Sequence, residues 1–231
     1  MLEITLTQFT PAQVEKIAGV AVDQQRNLRR HGYLAQTEGH ARFDGFGLAR
    51  LAAIKHLSDR GIGPALTAKA EGGFDIATLC ATGILWRLLD KPEAYEGDHF
   101  EFELSGPPVV PLDPHLFDQV IAEAKNRGMD EEALRTALLH EDRGWSSRAS
   151  ILKRQVMSDM GLGRVIPARY FIWWADGSHL WHEDLNVAFE GKPDDPRYQG
   201  AVMVMDQEAV ASALLSQAGT AFAHIEGLNS D

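Results

Sequence analysis

Apolar and polar positions along the chain predict short helices at its start and mixed helix and strand signals beyond. Thr10-Pro11-Ala12-Gln13 has the chemistry of a capping box: the Thr10 hydroxyl accepts from the amide three residues on, Pro11 needs no amide at the first helical position, and Gln13 reaches back. Val14, Ile17 and Ala18 then recur at helical spacing, and Gly19 stands where a left-handed C-cap residue is expected, so a helix is predicted over 11–18. A second helix over 22–31 stops at Gly32, with Val22 and Leu28 inward and Gln24, Gln25, Arg26, Asn27, Arg29 and Arg30 forming a polar, basic surface. Only Gly19-Val20-Ala21 joins the two, which is the helix-turn-helix pattern. Residues 35–44 read as a two-stranded wing that turns at Glu38-Gly39 and returns through Arg42 and Phe43, with Phe43 pinning it to the core. From Gly45 the period of Leu48, Leu51, Ala52, Ile54 and Leu57 predicts a scaffold helix that ends at Arg60-Gly61, with Pro64 just beyond.

A brief helix over 64–71 is broken by Gly72-Gly73, and Asp75 caps a new one running to about Leu89. Ile76, Leu79, Cys80, Ile84, Leu85, Trp86, Leu88 and Leu89 cover most of its circumference, the mark of a buried helix rather than a coiled-coil seam. Residues 90–98 end it as a polar loop, 99–104 alternate as a strand, and 114–127 and 130–140 read as amphipathic helices. Residues 145–160 are helical in pattern. Arg169 to Trp174, a turn at Asp176-Gly177 and a strand over 179–187 make a β-hairpin, residues 201–205 a third strand and 207–218 a final helix. Mixed strand and helix order predicts an α+β fold overall, with an N-terminal winged helix-turn-helix domain over 1–75 and an α+β domain with a short antiparallel sheet over 76–231.

Charge sharpens that division. Residues 1–75 hold nine Lys and Arg against eight Asp and Glu, so the remainder, with 13 basic and 25 acidic residues, is near −12 and accounts for the whole net charge of −11. An acidic surface repels a phosphate backbone, which confines any nucleic-acid contact to the first 75 residues. The single cysteine, Cys80, lies among apolar neighbours and reads as an inert buried thiol, in keeping with a reducing cytoplasm. Neither an export signal nor a membrane span is expected from the pattern.

Gly19-Val20-Ala21, Arg26, Arg30, Gly32-Tyr33-Leu34, Thr37-Glu38-Gly39, Arg42-Phe43 and Leu48-Ala49-Arg50-Leu51 stand in an order and spacing that resembles the DNA-binding domain of MerR-family transcription regulators. The resemblance covers roughly residues 4–72. It implies a second helix in the major groove and a wing on the backbone, with contacts from Gln24, Arg26 and Asn27 and from His40 and Arg42. Two departures stand out: the family's aromatic pair and acidic residue are replaced by Asn27, Leu28 and Arg29, and its usual Leu by Gln25. Residue chemistry extends the candidate set: Arg26, Arg29, Arg30 and Arg42 suit phosphates, while Gln24, Gln25 and Asn27 suit base edges. An ordinary solvated helix face is the competing reading of the same side chains.

In the C-terminal part, His179-Leu180-Trp181-His182-Glu183-Asp184 concentrates possible zinc ligands, yet on a strand His179 and His182 point to opposite faces. Tyr170, Phe171, Trp173, Trp174 and Trp181 read as sheet core or as the lining of an apolar ligand pocket. No catalytic residue, cofactor or metal is expected. The expectation is therefore a cytoplasmic, sequence-specific regulator of bacterial or phage type, binding double-stranded DNA as a homodimer, with its C-terminal domain open to RNA polymerase or another protein. The alternatives are a winged-helix interaction or assembly protein, of the kind that serves DNA packaging or recombination in phages, and a ligand-sensing regulator with an aromatic C-terminal pocket. A hydrolase built on His179, His182 and Glu183 is the weakest reading.

Overall fold

The structure, a computed structural model, describes residues 2–35, 40–68, 70–71, 74–97, 148–162, 167–190 and 194–227. The wing turn at Glu38-Gly39, the strand over 99–104 and the helices over 114–127 and 130–140 lie outside the described residues. The fold is α+β, as the pattern predicts.

The first helices form where local chemistry places them. In α1 (Pro11–Ala18) the Thr10 hydroxyl accepts from Gln13 N, Gln13 Oε1 accepts from Thr10 N at 2.8 Å, and Gly19 closes the helix at φ +67°. α2 (Val22–Arg30) follows after two further residues. α3 (Gly45–Ser58) starts on Asp44, whose carboxylate accepts from Gly47 N at 2.8 Å. The expected helix over 64–71 shortens to α4 (Pro64–Thr67), and Ala70–Glu71 (β2) instead pairs with Phe74–Asp75 (β3). Asp75 then caps α5 (Ile76–Leu88), which is buried nearly all round.

The core is made by α3 against α5, with a helix from the far end of the chain, α8 (Gln207–Ala218), lying across α5. Gly83 on α5 makes that crossing close: a Cβ there would come within 1.5 Å of Gln207 Oε1. The Arg87 guanidinium, also buried, donates to Gly83 O and Pro167 O, both at 3.2 Å, and to Glu183 at 3.3 Å. α6 (Arg148–Asp159) is fixed to α5 by Lys153, which pairs with Asp90 and lies 3.6 Å from the Trp86 ring centre.

Two pairings absent from the sequence expectations close the molecule. The first strand, β1 (Leu2–Leu6), runs antiparallel to the last, β8 (Ala223–Gly227), and β4 (Tyr95–Glu96) runs parallel to β8 on its other side. Phe9 and Phe222 meet with ring centres 5.1 Å apart, and Thr7 N donates to Phe222 O at 2.9 Å. One hydrophobic core thus holds Phe9, Val14, Leu48 and Leu51 together with Ile84, Leu214, Phe222 and Ile225. Residues from both sides of position 75 share that core.

The remaining sheet has the order β6-β5-β7, from His179–His182 (β6), Tyr170–Trp174 (β5) and Val202–Asp206 (β7). Its alternation sends Phe171 and Met205 into the main core, with Trp173, Trp181 and Met203 packed partly buried beside them. Ile172 and Trp174 face the other way, under Ala188 and Phe189 of a short helix, α7 (Leu185–Phe189). That helix replaces the second half of the strand expected over 179–187, because Asp184 accepts from Asn186 N and Val187 N and so caps a helix there. Among the described residues no helix is long and apolar enough to cross a membrane.

Candidate nucleic-acid interface

Nine residues of α2 set the geometry of the candidate site. Asp23, Arg26, Asn27 and Arg30 are exposed, whereas Leu28 packs partly buried against the core. Arg26 Nη1 lies 2.8 Å from Asp23 Oδ1, but both side chains are largely solvent-exposed, so this pair competes only weakly with another anion. Gln24 is also exposed, and its Oε1 accepts from Ala21 N at 3.1 Å, folding the side chain back onto the helix start. Gln24 and Asn27 border a groove of about 270 Å³ whose floor includes Leu28, Leu51 and Ile54.

Gln25 is not a surface residue. It is fully buried, and its Nε2 donates to Pro11 O at 2.9 Å and to Val20 O at 2.7 Å. Three residues before Leu28, it faces the same side of the helix and replaces an apolar core residue with an amide that ties α2 to the start of α1 and to the turn. Base contact by Gln25 is therefore withdrawn: a side chain at 0 % exposure cannot reach a base edge.

Arg29 is intermediate between these cases. Its guanidinium carbon lies 4.5 Å from the centre of the Phe43 ring, and burial lowers its pKa from the usual arginine value without discharging it. Phe43 is itself buried and exchanges both backbone hydrogen bonds with Phe9, Phe9 N to Phe43 O at 2.7 Å and the reverse at 3.0 Å. Phe43 does pin this segment to the core, as expected. Residues 36–39 of the expected wing lie outside the described residues. His40 and Arg42 are exposed, and Arg42 Nη1 donates to Ala41 O at 3.3 Å.

These elements bring three arginines to one place. Arg29, Arg42 and Arg50 line a cleft of about 240 Å³ beside the start of α3, together with Phe43, Asp44 and Gly47. Arg50 Nη2 pairs with Asp75 at 2.7 Å, and Asp44 is held by its cap, so the two carboxylates offset part of that positive charge. Arg50 was missed by the sequence reading; its place two residues after core Leu48 puts it off the most buried face of α3, beside Arg42 and Phe43. Of the expected set, Arg26, Asn27 and Arg30 share the outer face of α2, Arg29 and Arg42 share the cleft, Gln24 and His40 are exposed nearby, and Gln25 is inside.

The C-terminal histidines are not assembled into a site. His179 pairs across the hairpin with Trp173 and shares its face, whereas His182 lies on the opposite face, with its Nδ1 accepting from Asp184 N at 2.9 Å. Glu183 is engaged by Arg87 and by Arg169 N. Among the described residues there is no group of three or more His, Cys, Asp or Glu able to hold a metal. Cys80 is buried and desolvation pushes its thiol pKa well up, which suppresses thiolate chemistry. Comparison with protein-family models, with curated proteins and with solved structures gives no match.

Proposed function

We propose that this chain is a sequence-specific regulator that binds double-stranded DNA through α2 and the segment around Arg42. The observation that carries it is the outer face of α2, where Arg26, Asn27 and Arg30 are exposed on a short helix that follows α1 after a brief turn. A helix of this size fits the major groove; Asn27 suits adenine, and Arg26 or Arg30 suits guanine or phosphate. Arg29 near the end of the helix, with Arg42 and Arg50 beside it, supplies positive charge where the phosphates would run. Since residues 1–75 are nearly neutral, affinity from one copy is low, and a homodimer on neighbouring half-sites supplies the rest. The C-terminal part then serves self-association or contact with RNA polymerase or another protein.

The test is the salt dependence of duplex binding by the wild type and by a double variant, Arg30→Ala with Arg42→Ala. Both side chains are exposed, so the fold is expected to survive. Loss of two phosphate contacts lowers the slope of log K against log salt by about 2 per bound copy. An unchanged affinity and slope overturns the assigned face.

A further inference from the structure

We infer that the cleft between the C-terminal end of α3 and the aromatic face of the β6-β5-β7 sheet binds a small planar aromatic acid. The cleft holds about 850 Å³, and no residue of α2 lines it. That volume is in the range of small-molecule sites, which combine mostly apolar walls with a few polar groups. One wall is Ile62, Leu66 and Ile76; the other is Trp173, His179 and Met203. Leu66, at 40 % exposure, is one of only two large apolar side chains so exposed among the described residues, and it looks into this cleft.

The aromatic wall has a specific shape. Phe171 and Met205 are sealed in the core, but one pair further along the same face Trp173 and Met203 are only partly buried and line the opening. The Trp173 and His179 rings are stacked on each other, parallel to within 9° with centres 5.6 Å apart, so this wall is built from aligned flat rings. Flat faces of this kind favour a planar ring in offset stacking over a branched aliphatic chain.

Charge selects the acid. Two charged side chains line the cleft, Arg60 and Asp176. The Asp176 carboxylate is already occupied within the hairpin turn, where Oδ1 accepts from Ser178 N at 2.8 Å and from Ser178 Oγ at 2.6 Å. The Arg60 side chain gives a single hydrogen bond among the described residues, Nη1 to His56 O at 3.1 Å, and its remaining guanidinium donors are available to a ligand. A carboxylate on the ring meets that guanidinium by a charge-assisted, two-pronged contact. A neutral ring meets the walls and leaves the guanidinium unused.

Nothing in this site depends on DNA binding by α2, so its test is separate. The full chain is titrated by calorimetry with naphthalene-2-carboxylate and with the neutral naphthalene-2-methanol. The acid is expected to bind at about 10–100 µM, and the alcohol about tenfold more weakly. Leu66→Glu sets a like charge in the cleft from an exposed position of a four-residue helix, and is expected to abolish binding while leaving the urea midpoint unchanged. Arg60→Ala is expected to bring the acid down to the affinity of the alcohol. Absence of heat at ligand concentrations of about 1 mM, or equal binding by both variants and the wild type, overturns the site. Equal binding of acid and alcohol by the wild type overturns the assignment to an acid.

Discussion

Gln25 separates a side chain that is polar from one that is exposed. Its Nε2 donates to both Pro11 O and Val20 O, so Gln25→Ala removes two hydrogen bonds and leaves a small cavity behind. The expected loss is about 2–4 kcal/mol in urea unfolding, with DNA affinity per folded molecule unchanged. A weakened affinity at full stability would return Gln25 to the surface. Gly83 makes a second residue-level test, because a Cβ there collides with Gln207 and, through it, displaces the Arg87 guanidinium from its carbonyls. Gly83→Ala is expected to cost about 1–3 kcal/mol. Truncating Gln207 as well, as Gly83→Ala with Gln207→Ala, removes the collision, so thermal melts of the double variant should show less loss than the two single changes added together.

Elements whose cause is local were legible in sequence; those whose cause is distant were not. The Thr10-Gln13 box, the Gly19 cap and the Asp75 cap each depend on atoms within about one helical turn, and α1 and α5 stand where they place them. β1 and β8 stabilise each other across nearly the whole chain, so neither carries its own signal. The strand over 179–187 failed because Asp184, a helix cap, outweighs the β propensity of the residues after it. In the candidate interface the residue types were legible and their directions only in part: alternation told His179 from His182, and the three-residue spacing of Gln25 from Val22 and Leu28 points it inward, a signal masked by its polar side chain. At this scale the start of α8 gives a pH prediction. Asp206 caps α8 and is held below the usual carboxylate range by its hydrogen bonds with Arg169, at 3.0 and 2.7 Å. A depressed folded pKa contributes stability that is present above the unfolded value of about 4 and is lost as pH falls through the folded value. Asp206→Asn keeps a capping oxygen but loses the ion pair, so its melting temperature should fall less steeply below about pH 4 than that of the wild type.

Across the described residues, one large core joins α1, α2 and α3 to the strand and helix of the chain's end. α3 runs through it from the arginine cleft, at Arg50, toward the aromatic cleft, which Arg60 lines just beyond its end. The charge distribution of the sequence keeps its meaning here, since the exposed arginines of α2 and Arg42 stand on the nearly neutral third of a strongly acidic chain. The measurement that tests DNA binding most directly is selection of the full chain on a pool of random duplexes at low salt, with sequencing of the bound fraction and the Arg30→Ala, Arg42→Ala variant run alongside. A shared motif, repeated at one fixed half-site spacing and lost in the variant, is the predicted result. A bound fraction with no enriched motif, or the same enrichment in both proteins, would contradict it.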